Sequence, residues 1–318
     1  MRFKLTLLVI LCSTINCYSQ ILTPREGYVN VQGGRIWYKI IGSGKKTPLL
    51  FIHGGPGSTS CSYISVLSTL SNERPVILYD QLGTGRSDRP TDTALWKLPL
   101  FVNEIDSLRA ALGLKKVHIV GHSWGGTVLI EYLISKKPKG VTSAIFVSPL
   151  LSTPIWMEDA KILLSRLPQN IQDTINKYEG LKDYDAPSYL KATDTFYAKH
   201  VSVKQWPPAK SADCSGIRGN GKIYRYMWGS SEFNATGTLI NFDRTSNLKQ
   251  LKLPVFFIAG EFDEARPETM YRFQKNVRNS KVSIIENAGH YIQVDQPEKF
   301  TKAISQFINS LKGPLMLP

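Results

Sequence analysis

Several features that would point to other classes of protein are scarce in this chain of 318 residues. It has only four cysteines and five histidines, and because they show no metal-ligand spacing, we expect neither a metal nor an organic cofactor. Internal repeats and low-complexity tracts are missing as well. Basic residues outnumber acidic ones by 39 to 25, yet they are scattered and accompany no nucleic-acid motif. The sequence therefore predicts a solvated basic surface and no nucleic-acid partner.

Long hydrophobic runs are also scarce, and the clearest one lies near the N-terminus. A positively charged start is followed by the apolar run Leu5 to Leu11 and then by small polar residues. This pattern predicts a signal peptide over residues 1–19, cleavage after Ser19 and an exported protein, periplasmic or secreted. Two alternatives stay open. The stretch Leu5 to Pro24 could remain as an anchor, although its polar residues make a poor membrane span, or Cys17 could carry a lipid.

Removal of the leader leaves two cysteines, Cys61 and Cys214. An oxidising compartment would permit a disulfide, but two widely separated cysteines do not specify one. We expect two unpaired buried thiols, with a bridge as the alternative.

Downstream of the leader, short apolar runs alternate with segments of helical spacing. Residues 27–42 predict a β-hairpin around two glycines, and apolar runs beginning near residues 48, 75, 116, 143 and 253 are typical of parallel strands buried on both faces. The alternation stops after Leu151. Residues 20–150 and 247–318 are thus predicted to form a core with a mostly parallel sheet flanked by helices, and residues 151–246 an inserted, mainly helical cap over the site.

A nucleophile pattern lies at the end of one predicted strand. The segment GHSWG, residues 121–125, has glycines on both sides of Ser123, and such a strand-to-helix turn exposes the serine hydroxyl. A serine needs a base and a group that orients the base. His290 in NAGHY and Asp263 at the end of FFIAGEFD provide them in the chain order Ser, Asp, His. The sequence therefore predicts an α/β-hydrolase fold with these three residues as the catalytic triad.

Acyl transfer also requires two donors for the developing oxyanion. The backbone N–H of Trp124 is the first candidate. The second is expected from the loop HGGPG at residues 53–57, where glycine allows close approach of the backbone. We favour Gly55 ahead of Gly54; Pro56 has no N–H.

Four segments together carry a family resemblance. They are HGGPG at 53–57, YDQLGTGRSDRP at 79–90, GHSWGG at 121–126 and MWGSSEF at 227–233. With them the chain resembles the proline iminopeptidases from about residue 27 to residue 311. The resemblance implies removal of one N-terminal residue, often proline, from small peptides with a free N-terminus. It also implies that Glu232 in the cap and Glu264 after the catalytic aspartate hold the substrate's amino group, a role that suits two carboxylates and one ammonium.

The chain departs from the family's usual pattern at His122, Trp228 and Ser230. Because of these departures, the first residue of the substrate could be proline or another small or apolar residue. Five aromatic residues could line the pocket for its side chain, and the sequence does not choose among them: Trp156, Tyr197, Trp206, Tyr224 and Trp228.

Two other functions are compatible with parts of this pattern. A carboxylesterase would use the same triad and oxyanion donors, because a fold does not fix the substrate, but it has no need of the glutamate pair. A non-catalytic binding module is disfavoured because no triad member is missing. The sequence makes no prediction about oligomeric state.

Overall fold

The computed structural model describes residues 21–311, so the predicted signal peptide lies outside the described residues. Its centre is one sheet of eight strands in the order β1-β2-β4-β3-β5-β6-β7-β8. The strands are β1 (Arg25–Val31), β2 (Gly34–Ile41), β3 (Leu49–Ile52), β4 (Val76–Tyr79), β5 (Val117–His122), β6 (Val141–Val147), β7 (Val255–Gly260) and β8 (Ser280–Ile285).

The predicted hairpin and the predicted parallel strands are both confirmed. β1 and β2 pair antiparallel, and β2 pairs antiparallel with β4. From β3 to β8 the neighbouring strands are parallel. Every residue of β3, β4, β5 and β7 is buried, because helices cover both faces of a parallel sheet.

Ten α-helices accompany the sheet within residues 21–311. They are α1 (Cys61–Ser68), α2 (Leu98–Ala111), α3 (Trp124–Glu131), α4 (Thr153–Leu164), α5 (Gln169–Leu181), α6 (Pro187–His200), α7 (Gly221–Met227), α8 (Pro267–Gln274), α9 (Ile292–Asp295) and α10 (Pro297–Ser310). Helices α4 to α7 lie between β6 and β7 in the chain.

Apolar side chains form one cluster on each face of the sheet and a third among the helices between β6 and β7. Helices α2, α3 and α8 contribute to the first cluster together with side chains of α4 and α7, and α1 and α10 contribute to the second. The third consists mainly of side chains from α4, α5 and α6. The helices between β6 and β7 therefore pack partly against one another and partly against the core, and further links join them to the loops of the sheet.

Such links lie between α6 and α7, in residues 212–221, which we call the strap. The backbone N–H of Asn220 donates to the carbonyl of Gly57, at 2.7 Å. The guanidinium of Arg89 donates to the carbonyls of Arg218 and Gly219, each at 2.9 Å. The strap is thereby fixed against the two loops that follow β3 and β4.

A covalent bond fixes the strap as well. Cys61 at the start of α1 and Cys214 in the strap form a disulfide, with their Cα atoms 5.1 Å apart. The expectation of two unpaired thiols is therefore wrong. The reason is topological: the two cysteines are 153 positions apart in sequence, and only the return of the strap across α1 brings them together.

Replacing both cysteines by serine is expected to lower the free energy of unfolding by about 2–5 kcal/mol, since a cross-link over a long loop restricts the unfolded chain. Urea denaturation measures this change. Dithiothreitol should weaken the wild type to a similar extent and leave the Cys61→Ser/Cys214→Ser variant unaffected. An equal effect of the reductant on both proteins would contradict a stabilising bridge.

Candidate active site

Ser123 lies in the sharp turn between β5 and α3, with φ 53° and ψ −119°. This is a strained backbone conformation for a residue that carries a side chain. The flanking glycines permit it: a Cβ on Gly121 would lie 2.3 Å from the carbonyl oxygen of Gly125, and one on Gly125 would lie 2.2 Å from that of Ile52. The turn therefore directs the hydroxyl into the cavity above the sheet, which Ser123 lines.

His290 and Asp263 meet beside this turn. Nδ1 of His290 lies 2.9 Å from Oδ1 of the Asp263 carboxylate. A carboxylate only accepts hydrogen bonds, so Nδ1 carries the proton and Nε2 is left as a proton acceptor. Asp263 is buried and accepts further hydrogen bonds from the backbone N–H groups of Ala265 and Gly260, and from the hydroxyl of Ser148 at 2.5 Å. These donors orient the carboxylate that orients the histidine.

His122 supports the same histidine from the other side. Its Nε2–H donates to the backbone carbonyl of His290, at 3.0 Å, and the two rings lie 4.7 Å apart. Burial lowers the pKa of His122 well below its usual range. His122 therefore stays neutral at physiological pH and adds no second positive charge beside His290.

The two candidate oxyanion donors lie next to the nucleophile. Trp124 is the first residue of α3, a position whose N–H has no partner within the helix. Gly54 and Gly55 line the same cavity as Ser123, and a Cβ on Gly54 would lie 3.3 Å from Cβ of Ser123. The loop after β3 thus approaches the serine closely only because it consists of glycines.

Gln81 joins that loop to the nucleophile turn, and sequence reasoning missed it. Its side-chain oxygen accepts from Nε1 of Trp124 at 2.8 Å, and its side-chain nitrogen donates to the carbonyl of His53 at 3.0 Å. Its backbone N–H donates to Nε2 of His53, also at 3.0 Å. The sequence signal was present in the segment DQLGTG, which served only to identify the family resemblance.

Glu232 and Glu264 line the same cavity of about 570 Å³ as Ser123 and His290, although one comes from the segment between α7 and β7 and the other from the loop after β7. Oε1 of Glu264 lies 3.7 Å from Nε2 of His290. Its Oε2 is buried and has no hydrogen-bond partner among residues 21–311. The hydroxyl of Tyr224 donates to Oε1 of Glu232.

The electrostatics of this pair favour a cation. Burial raises the pKa of Glu232, and it raises that of Glu264 well above its usual range, with a further contribution from the neighbouring negative charge of Glu232. Two carboxylates in a poorly solvated cavity repel each other when both are ionised. A bound ammonium would relieve this repulsion and satisfy the open oxygen of Glu264.

The aromatic candidates divide into two groups. Tyr197, Trp206 and Tyr224 line the cavity. Trp156 and Trp228 are buried, and the ring of Trp156 lies edge-on behind His290 at 5.6 Å.

Tyr291 also lines the cavity, and sequence reasoning missed it although it directly follows His290 in the chain. The structure thus brings the predicted triad, the two glutamates and the candidate oxyanion donors together, whereas Trp156 and Trp228 do not line the cavity.

The chain is similar to known proteins in sequence and in fold. The family model of the α/β hydrolase fold matches residues 47–297. A proline iminopeptidase of Heyndrickxia coagulans is 43% identical over 288 residues, which cover 90% of this chain and 99% of the relative. One of Clostridium botulinum is 33% identical and covers 89% of this chain and 98% of the relative. The crystal structure of the Mycobacterium smegmatis proline iminopeptidase has a TM-score of 0.80 at 28% identity, with 90% of this chain and 98% of that chain covered.

The family-model match spans the loops after β3, β5, β7 and β8 and the segment that carries Glu232. The two proline iminopeptidases compared in sequence are covered along nearly their whole length. The chain belongs to the proline iminopeptidase family of the α/β hydrolases.

Proposed function

We propose that this protein is a serine aminopeptidase that removes the N-terminal residue, proline or another small or apolar residue, from short peptides. The observation that carries the proposal is the pair Glu232 and Glu264 in the cavity of the triad, with one buried carboxylate oxygen open to a ligand. An acyl group needs no such pair, whereas a peptide's free ammonium does. The relatives named proline iminopeptidases support the same reaction.

The mechanism follows from the positions of these groups. The ammonium binds between Glu232 and Glu264, which directs the first carbonyl of the peptide to Ser123. The serine oxygen forms a bond to that carbon while Nε2 of His290 takes the hydroxyl proton. The negative charge on the carbonyl oxygen is stabilised by the N–H groups of Trp124 and the glycine loop, Gly55 being our choice.

Collapse of this intermediate breaks the peptide bond. His290 returns its proton to the leaving amine, and the first residue remains esterified to Ser123. A water molecule, deprotonated by His290, then attacks the ester, and His290 returns this proton to the oxygen of Ser123 as the free amino acid leaves. Asp263 stays ionised throughout and stabilises the imidazolium that forms twice in the cycle.

The cavity explains why only one residue would be removed. Its volume of about 570 Å³ lies within the range of small-molecule sites. Because two carboxylates line it, a longer N-terminal chain would have to bury uncharged peptide against them. Tyr197 and Trp206, whose rings lie 5.0 Å apart, offer an apolar wall for the first side chain.

We also propose that the protein is exported. The leader pattern of residues 1–19 is one support, and the bridge between Cys61 and Cys214 is another, because disulfides persist in oxidising compartments. Among the helices of residues 21–311, none combines the length and the apolar character needed to cross a bilayer.

The proposal predicts that a chromogenic amine is released from free prolyl, alanyl and leucyl amides and not from their N-acetylated forms. Ser123→Ala should abolish the release. Glu232→Gln should lower kcat/KM by roughly 10²–10³-fold, the effect of losing a charged partner in a dry site, while its folding stays intact.

An uncharged ester of a short fatty acid is the control substrate. Glu232→Gln should hydrolyse it as well as the wild type does, because the triad is unchanged. Equal cleavage of acetylated and free amides, or activity on simple esters alone, would contradict the aminopeptidase and favour a carboxylesterase.

The rate on free-amine substrates should depend on pH at both ends. It should fall above roughly pH 8, where the substrate's amino group loses its proton. It should also fall at acidic pH, and earlier than for ordinary glutamates, because burial raises the pKa of Glu232 and Glu264 and protonation removes their charge. A profile of kcat/KM on prolyl amide measures both limbs. Activity that stays flat to about pH 10 would count against ammonium recognition.

A further inference from the structure

The parallel strands begin along one edge of the sheet. Their first residues are aligned in register: Leu49 pairs with Val76, Val117 with Val141, and Val255 with Ser280. The triad lies at the opposite edge, where the same strands end. Residues that directly precede these strands in sequence therefore lie together on the side of the molecule that is opposite the active site.

Many of the residues that precede the parallel strands are basic. Exposed lysines and arginines lie just before or at the start of β3, β5, β6, β7 and β8, and we call these ten residues the basic edge: Lys45, Lys46, Lys115, Lys116, Lys137, Lys139, Lys249, Lys252, Arg278 and Lys281. In the sequence they are scattered. The parallel topology brings them to one side.

Two cavities bring some of these side chains close together. The first, of about 400 Å³, is lined by Lys45, Lys46, Lys115 and Lys116. The second, of about 630 Å³, is lined by Lys137, Lys249 and Lys252. Positive charge is thus concentrated in two patches, rather than spread evenly over the surface.

Two acidic residues also lie near this edge. Glu131 is paired with Arg244, at 2.7 Å. Glu73 accepts hydrogen bonds from Ser305 and Asn309, which lower its pKa, and the nearby charge of Lys46 lowers it further. The ten lysines and arginines of the basic edge outnumber these two carboxylates, so the edge is positive in balance.

The start of the described chain lies on the same face. Leu22 pairs with Gly44 and lines the cavity of Lys45 and Lys46.

We propose that the basic edge is a docking surface for an anionic lipid bilayer. Lysines near a surface of anionic headgroups favour binding through charge alone, and the effect is roughly fivefold in affinity for each of them. With this edge on the membrane, the cavity of Ser123 faces the solvent, where peptides are. The inference does not depend on the peptidase function.

Vesicle sedimentation of the protein, isolated from an exporting host, tests the proposal. Vesicles of phosphatidylcholine with phosphatidylglycerol should bind the wild type at about 0.1 M salt and much less at about 0.5 M, where the Debye length is short. Vesicles of phosphatidylcholine alone should not bind it. The variant Lys45→Gln/Lys46→Gln/Lys249→Gln/Lys252→Gln should lose roughly a hundredfold in partition coefficient or more.

The matched control variant loses the same number of positive charges, here from the predicted cap of residues 151–246. Its four substitutions fall on exposed lysines: Lys177→Gln, Lys191→Gln, Lys199→Gln and Lys222→Gln. This variant should bind within about twofold of the wild type, because its charges lie beyond a Debye length from the lipid surface.

Prolyl amide cleavage, measured on each protein, separates the two proposals. It should be unchanged in both variants, since neither touches the site. An equal loss of lipid binding in both variants, equal binding to uncharged vesicles, or tighter binding to duplex DNA than to lipid would overturn the docking surface. If the wild type did not cleave prolyl amide, that result would contradict the proposed function and leave the docking surface unaffected.

Discussion

Two like charges in one poorly solvated cavity are the constraint on which this structure depends. Glu264 is buried and Glu232 lies beside it, and burial raises the pKa of both. Taking a carboxylate out of water is costly unless it is paired, and Glu264 retains an oxygen without a partner among residues 21–311. Ionising both carboxyl groups is therefore costly in this cavity, and a cationic substrate offsets that cost on binding.

The rest of the fold holds the pair in place. Glu264 comes from the core, next to Asp263, whereas Glu232 comes from the segment after α7, so neither the sheet nor the cap forms the site alone. The strap, the disulfide and the hydrogen bonds of Arg89 keep the two parts together. Gln81 and His122 perform a similar task at shorter range, since each ties a catalytic loop to its neighbour.

The triad and the fold could be predicted because their signals are local. The glycines around Ser123, the buried apolar runs and the short segments that contain Asp263 and His290 each concern a few adjacent residues. The disulfide could not be predicted in this way, because its two cysteines lie 153 positions apart in sequence. The same holds for the basic edge: Lys45 and Lys116 are unrelated in sequence and become neighbours only through the pairing of β3 with β5.

The residues that support the site fall between these cases. Tyr291 follows His290 directly, and Gln81 belongs to the segment DQLGTG, which contributed to the family resemblance. Neither position lies in a sequence pattern that identifies the residues it contacts. Hydrogen bonds between side chains of distant loops depend on strand register and on side-chain rotamers, which cannot be read from a single sequence. Sequence reasoning therefore found the candidate catalytic residues and missed the residues that hold them in place.

Calorimetric binding of prolinamide to the Ser123→Ala variant tests the central claim most directly, when it is carried out near pH 7 in buffers of different ionisation enthalpy. If the ammonium binds between the carboxylates, both become ionised, and up to about one proton is released per site. The release should vanish and the affinity fall in Ser123→Ala/Glu264→Gln. Equal affinity for prolinamide and N-acetylprolinamide, with no proton released, would contradict the account.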